Sequence, residues 1–220
     1  MFNTTRSAGT PSCLNAKRYN TQEVVDLLEP MFFGKCYLCE RDALSDPQIE
    51  HFDPHRGDTA KMYDWSNLYY SCSRCNGIKS HVHIDLLNCC DPNVDVFREI
   101  KCILPSIPDG PIIVEAAIDP NDIKTRNTVE LIYKCYNEDN TALRAITRSV
   151  LMEKLWEHFT NFLTYRSKIV DKRSTTLERQ HAKDKIVSMT QDTFPFSVFW
   201  KWHVLSDKSL KESLVNEICF

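Results

Sequence analysis

The spacing of apolar positions changes character several times along the chain. Asn20-Thr21-Gln22-Glu23, followed by Val24, Val25, Leu27 and Leu28, predicts a short capped helix with Pro30 near its end. Before it, residues 1–20 carry Gly9, Pro11 and scattered polar side chains and read as an extended lead-in. From Met31 to Pro92 turn signals dominate (Ser45-Asp46-Pro47, Asp53-Pro54, Arg56-Gly57-Asp58) and the apolar runs between them are short. That pattern predicts short strands and one short helix. Five prolines and one glycine punctuate residues 91–121, where Ile112-Ile113-Val114 is the strand-like run.

From Thr125 the period becomes helical. Val129, Ile132, Tyr133 and Tyr136 are followed by Leu143, Ile146, Val150, Leu151, Leu155, Phe159, Phe162 and Leu163, a stripe of the kind that faces a core. An aromatic tail, Phe194 to Trp202, precedes a last helix expected over residues 207–218. The expected organisation is a lead-in with a short helix over residues 1–30, a turn-rich block over 31–92, and a mainly helical region over 93–220. This is an α+β chain with no internal repeat.

Composition narrows the class. In 220 residues, 42% hydrophobic and 26% charged side chains are the usage of a globular protein, and no apolar run reaches the length that spans a bilayer. The opening MFNTTRSAGTPSC has no apolar core behind Arg6, so no secretory signal is expected and the cytosol is the expected location. A net charge of −3 argues against a broad polycationic surface, but it averages over a gradient. Residues 86–140 hold 5 basic and 10 acidic side chains (net −5), and residues 141–185 hold 10 basic and 5 acidic (net +5). The second stretch can face phosphates, an acidic partner, or plain solvent.

Ten cysteines are many for a reducing compartment, where a disulfide framework is not expected. Four fall into two pairs, Cys36-Tyr-Leu-Cys39 and Cys72-Ser-Arg-Cys75. The other six are Cys13, Cys89, Cys90, Cys102, Cys135 and Cys219, of which only Cys89 and Cys90 adjoin. Two CxxC turns supply four thiolates for tetrahedral zinc and leave no open position for water, so Cys36, Cys39, Cys72 and Cys75 are expected to hold a structural Zn²⁺. That ion would stabilise a block with few apolar residues of its own.

Between the knuckles lies Ile49-Glu50-His51-Phe52-Asp53-Pro54, then Trp65-Ser66-Asn67-Leu68. Directly after Cys75 comes Asn76-Gly77-Ile78-Lys79. A Glu-His pair alone carries little weight, Asn67 alone suits a turn, and Asn76 alone suits a helix cap; their occurrence around the same two knuckles is what matters. Phosphodiester hydrolysis needs a base for water and a cation for developing charge, and a neutral imidazole near pH 7 suits the first task, which falls to His51. Arg56 and Lys79 are candidates for phosphate contact. His55, His81 and His83 lie nearby and are given no catalytic part.

In this order and spacing the chain resembles the HNH nuclease family with its ββα-metal fold. The resemblance implies that Glu50 and Asn76 hold a catalytic Mg²⁺ or Mn²⁺. It also implies that Asn67 holds the His51 imidazole in its useful tautomer, and that Asn76 opens the helix carrying Lys79. Gly34-Lys35-Cys36-Tyr-Leu-Cys39-Glu40, the Glu50–Pro54 run and Asp64-Trp65-Ser66-Asn67-Leu68 further resemble the HNH subunit of Septu-type anti-phage systems, some of them encoded beside a retron. Weaker features of that resemblance are Asp91-Pro92, the Asn127-Thr-Val-Glu-Leu helix, Arg144 and Arg148. After Lys79 this chain has His81-Val-His-Ile-Asp, where those subunits carry a Pro-containing run.

The implied function is a nuclease for DNA, or for RNA such as tRNA, working with an ABC-type ATPase, and in the retron-linked systems with a reverse transcriptase and its RNA–DNA product. The aromatic tail and the helices after Thr141 are candidates for the docking surface, and equally for ordinary core. A competing class is a zinc-ribbon module that binds nucleic acid without cutting it. A thiol-disulfide enzyme would need a reactive low-pKa cysteine and a thioredoxin-like βαβ pattern, and the sequence shows neither.

Overall fold

A computed structural model describes residues 1–7, 9–139, 146–215 and 217–218. Leu143, Arg144 and Cys219 lie outside the described residues. The lead-in is not a loose extended arm. Met1 and Phe2 are buried, a single helical turn, α1 (Ser12–Asn15), interrupts the segment, and the Thr4 amide donates to the Cys89 carbonyl at 2.9 Å. Arg6 reaches further in, donating to the Trp65 carbonyl at 2.8 Å with its guanidinium 4.4 Å from the Tyr69 ring centroid. Thr21 caps α2 (Gln22–Met31) by accepting from the Val24 amide. Gly34 at φ +66°, its amide on the Glu29 carbonyl at 2.7 Å, then turns the chain into the first knuckle.

Strand β1 (Pro47–His51) pairs antiparallel with β2 (Leu68–Cys72), with Glu50 opposite Tyr69 and His51 opposite Leu68. The excursion between them holds α3 (Thr59–Met62), capped by Asp58, and one 3₁₀ turn over Trp65–Asn67, capped by Asp64. Helix α4 (Ser73–Lys79) follows β2 directly. The turn-rich block therefore has two short α-helices where one was expected.

A second two-stranded sheet follows the turn α5 (Val96–Glu99): β3 (Ile100–Ile103) against β4 (Ile113–Ala116), with Cys102 opposite Val114. The strand expected at Ile112 begins at Ile113. The remainder is helical: α6 (Ile123–Asn137), α7 (Arg148–Val170), α8 (Thr176–Met189), α9 (Ser197–Ser206) and α10 (Lys208–Leu214). Thr175 and Glu178 form a reciprocal capping box on α8. The last helix is shorter than the expected 207–218. Among the described residues no helix is long and apolar enough to cross a membrane.

The aromatic tail, a candidate for docking and equally for core, is largely core. Phe196, Phe199 and Trp200 are buried on α9 or at its start, and Phe199 stands edge-on to Tyr136 of α6 at 5.2 Å. The basic stretch on α7 and α8 is in good part internally paired, through Arg166–Asp207, Lys168–Glu178 at 3.0 Å and Lys183–Glu217 at 3.0 Å.

Helix α6 joins the knuckles to the helical region. Tyr136 Oη donates to the Cys39 carbonyl at 2.6 Å, and Arg74, itself buried, donates to the carbonyls of Cys135 (3.0 Å) and Glu138 at the end of α6, where a cation is favoured. Next to Cys39, the fully buried Glu40 accepts from Ser197 Oγ of α9 at 2.9 Å and lies 3.2 Å from the buried Met1 ammonium and 3.6 Å from the equally buried Lys35. Removing one partner of a buried pair leaves the other uncompensated. Glu40→Ala is therefore expected to cost about 3–5 kcal/mol in urea unfolding, and the double variant Glu40→Leu, Lys35→Met to recover only part of it, because the buried Met1 ammonium stays uncompensated.

Candidate active site and metal centre

The four knuckle sulfurs come from three local structures. Cys36 and Cys39 flank one turn, Cys72 ends β2, and Cys75 sits in the first turn of α4. All four cysteines are fully buried and their Sγ atoms lie within 4.8 Å of one another. Cys39 and Cys72 sulfurs are 3.9 Å apart, close to the ~3.8 Å edge of a tetrahedron with zinc–sulfur bonds of about 2.3 Å. Cys72 also caps α4, its sulfur accepting from the Cys75 amide at 3.5 Å. The Arg41 guanidinium is held in its charged form: burial opposes the charge, and the sulfurs of Cys72 and Cys39 with Asp46 outweigh burial. Four convergent soft donors, an amide on one sulfur and a neighbouring cation form a group that could hold a zinc ion.

On the other side of the hairpin a cleft of about 540 Å³ opens, lined by Tyr19, Glu50, His51, His55, Arg56 and Asn76 among others. Strand alternation sends Glu50 inward and leaves His51 half-buried. Yet both border the cleft, because His51 is the last residue of β1 and the chain turns there.

His51 Nε2 lies 3.0 Å from the Met62 carbonyl oxygen. A carbonyl only accepts, so Nε2 carries the proton and Nδ1 keeps the lone pair of the neutral ring. Burial pulls the imidazole pKa below its usual value, the Met62 contact opposes this, and His55 and Lys79 add to the lowering. The ring is further fixed by Tyr19, edge-on with centroids 4.7 Å apart, and by His55 at 4.7 Å.

Asn67 does not hold the imidazole. Its Oδ1 accepts from the Asp53 amide at 2.7 Å, and its Nδ2 donates to the carbonyls of Asp53 (2.8 Å) and Lys61 (3.0 Å). It clamps the loop after His51 to α3, and so places the Met62 carbonyl, one residue beyond Lys61. The tautomer is set by that carbonyl.

Lys79, expected at the phosphate, is fully buried. Its ammonium donates to Glu50 Oε1 at 2.7 Å and to the His51 carbonyl at 2.9 Å, so it braces β1 from beneath. Burial pushes the Glu50 carboxyl up to about 7, with Lys79 pulling the other way. Asn76 lies in the middle of α4 and does not open it: the helix starts at Ser73, capped by Cys72. Arg56 stands at the rim and donates to the His81 carbonyl at 3.3 Å across the cleft mouth. His83 is turned elsewhere, 3.5 Å from Lys134 Nζ.

The structure thus gathers Glu50, His51, Asn76 and Arg56 around one cleft, with Lys79 below it and Asn67 behind it. Sequence reasoning missed Met62, which acts through its backbone and leaves no residue-type signal. It also missed Tyr19, which arrives from the lead-in.

Over 78 residues the chain is 38% identical to the Septu protein PtuB of Bacillus mycoides (strain KBAB4). The chain resembles a Septu protein. The matched stretch covers 29% of this chain and 26% of that relative, so the chain spans about a quarter of the length of the curated relative it matches. No family model matches the chain.

Proposed function

We propose that this chain is a metal-dependent HNH nuclease that hydrolyses phosphodiester bonds, with DNA the favoured substrate, and that it is the effector of a Septu-type anti-phage system working with an ATPase partner. The observation that carries the reading is the His51 imidazole, locked by a backbone carbonyl into the tautomer with a free Nδ1, at a cleft shared with a buried carboxylate and a side-chain amide. A zinc-ribbon module that only binds nucleic acid gains nothing from a constrained, neutral histidine beside an acid. The domain plan of residues 1–30, 31–92 and 93–220 is retained in the proposal, with residues 31–92 as the catalytic unit.

In this mechanism His51 Nδ1 takes the proton of an attacking water, while the Met62 carbonyl steadies the imidazolium that results. Arg56 at the rim meets a phosphate. Glu50 and Asn76 would hold a divalent cation, Mg²⁺ or Mn²⁺. Two protein ligands leave most of its shell to water, as a hard cation tolerates. When bound, that ion offsets negative charge on the phosphate and the leaving oxygen. Lys79 fixes the Glu50 carboxylate and stays inside. Asn67 acts through the loop it clamps and is a positioning residue here.

The test is incubation of the protein, with its ATPase partner, with labelled DNA and with total tRNA in Mg²⁺ or EDTA. Metal-dependent cutting of DNA supports the reading, cutting of tRNA alone moves it to the RNase form, and binding without cutting in any divalent metal supports the zinc-ribbon alternative.

A pH dependence follows. As pH falls through about 7 Glu50 takes a proton, whereas His51, with its lowered pKa, becomes protonated only further down. The acid limb of the rate profile should therefore follow Glu50. Proton and cation compete for this carboxylate, so raising Mg²⁺ is expected to move the limb to lower pH; a limb indifferent to Mg²⁺ would take Glu50 out of the metal site.

A further inference from the structure

The loop Asn88-Cys89-Cys90-Asp91 is absorbed neither by the zinc tetrad nor by the cleft. The Asp91 amide donates to the Asn88 carbonyl at 3.1 Å, which makes Cys89 and Cys90 the two central residues of a β-turn. The turn is firmly held. Asn88 Oδ1 accepts from the Cys90 amide at 2.8 Å and from Tyr69 Oη at 2.5 Å, and the Cys89 carbonyl accepts from Thr4. Cys90 is half-buried, while every other cysteine among the described residues is buried.

The surroundings of Cys90 favour an anion. Arg6 is anchored through Nη1 and by its stacking on Tyr69, but its Nη2 is buried without a hydrogen-bond partner. Arg6 is near enough to Cys90 to favour its ionised form, and an ionised sulfur there would offer that nitrogen an acceptor. The neighbouring Cys89 thiol brings the Cys90 thiol down most, burial opposes it, and Arg6 and Tyr69 add to the lowering, which leaves it at about 7. The Cys90 neighbour, followed by burial, pushes Cys89 well up. The pair is asymmetric in access: Cys90 is half-buried and open to a small reagent, and Cys89 behind it is buried. An electropositive, partly exposed setting of this kind marks reactive cysteines, and inert ones lie buried in apolar surroundings.

We propose that Cys90 is a hydroperoxide-reactive thiol and that Cys89 resolves it, the two closing a reversible vicinal disulfide within the turn. In the first step the Cys90 thiolate attacks the peroxide oxygen; the O–O bond breaks, sulfur is oxidised to the sulfenic acid, and with one proton taken up one water leaves. In the second the Cys89 thiol attacks the sulfenic sulfur; the S–S bond forms, the S–O bond breaks, and a second water carries off the thiol proton. Neighbouring Cα atoms are about 3.8 Å apart across a trans peptide, short of the span a disulfide prefers, so the ring is strained and a dithiol reductant reopens it.

The test uses the zinc-loaded full chain at pH 7 with a few equivalents of hydrogen peroxide, read by peptide mass mapping. The peptide holding residues 88–91 is expected to lose two hydrogens, reversibly with dithiothreitol, and zinc content to stay constant. Cys89→Ser is expected to halt at a sulfenic acid on Cys90 that a cyclic diketone captures, and Cys90→Ser to show neither product. Arg6→Met, its fold checked by circular dichroism, is expected to slow iodoacetamide alkylation of Cys90 at pH 7 about fivefold, the loss of thiolate when a pKa of about 7 rises by one unit. Alkylation of wild-type Cys90 no faster than that of free cysteine, or peroxide attack on the zinc thiolates before Cys90, would overturn the proposal. None of these readouts involves nucleic acid, so their failure leaves the nuclease reading as it stands.

Discussion

His51→Ala is expected to leave a folded, zinc-loaded protein whose cleavage of nucleic acid falls by about 10²–10⁴-fold, the usual contribution of a positioned general base. Stability should change little. The ring is half-buried, its one hydrogen bond is to a backbone carbonyl at 3.0 Å, and Tyr19 and His55 can relax into the space it leaves. The comparison that separates base from mere packing is His51→Asn, which keeps a donor for the Met62 carbonyl but has no nitrogen of suitable basicity. Both variants should be equally inactive, with nucleic-acid binding at 100 mM salt close to wild type. Cutting by either variant at the wild-type rate would remove the base and, with it, the assigned mechanism. Asn67→Ala should behave differently. It frees the Asp53–Lys61 loop and with it the Met62 carbonyl, so its loss should be partial and accompanied by lower thermal stability.

How far the site was legible depends on whether a residue acts by type or by position. The four cysteines could be read directly, because thiolates at CxxC spacing have few other uses and their convergence needs only two turns to meet. Glu50, His51 and Asn76 could be read as a set and reach one cleft. Their roles were less legible. That a lysine will be buried has no sequence mark: the three preceding residues, Asn76, Gly77 and Ile78, gave no warning that Lys79 would point under β1 and pair with Glu50. The start of α4 was misplaced by three residues because a cysteine is an uncommon cap, and Cys72 serves as one only where its sulfur is already held for the metal group.

Outside the site, sequence succeeded where period is long and failed where partners are distant. Helices α6 and α7 follow from their stripes. Strand β3 went unread because its alternation, buried Ile100 and Cys102 against half-exposed Lys101 and Ile103, spans four residues and is completed only by β4 across a proline-rich loop. The aromatic tail looks the same from sequence whether it faces solvent or core. Tyr136, Phe159 and Phe162, all on other helices, put it in the core.

Cys36→Ser is the second expected result of large size: loss of the zinc stoichiometry and of cooperative unfolding together. Structural zinc in small modules binds with apparent free energies of about 10–16 kcal/mol, comparable with the whole stability of an ordinary domain, about 5–15 kcal/mol. A serine hydroxyl is a poor zinc ligand at neutral pH, so the variant forfeits one of four bonds and leaves three buried thiols with no common cation. The consequence should extend past the knuckles. Cys39 carries Glu40 into its contacts with Lys35 and Ser197, its carbonyl receives Tyr136, and Arg74 between Cys72 and Cys75 grips the end of α6. Loosening the tetrad thus releases α6 and α9 as well as the hairpin that presents His51. In circular dichroism melts the variant should lose its sharp transition, and the wild type should lose the same transition when zinc is stripped by a chelator under mild denaturant. A Cys36→Ser protein that melts like wild type with no bound zinc would show that the apolar core alone holds these elements, and the tetrad would then have to be read as four buried thiols.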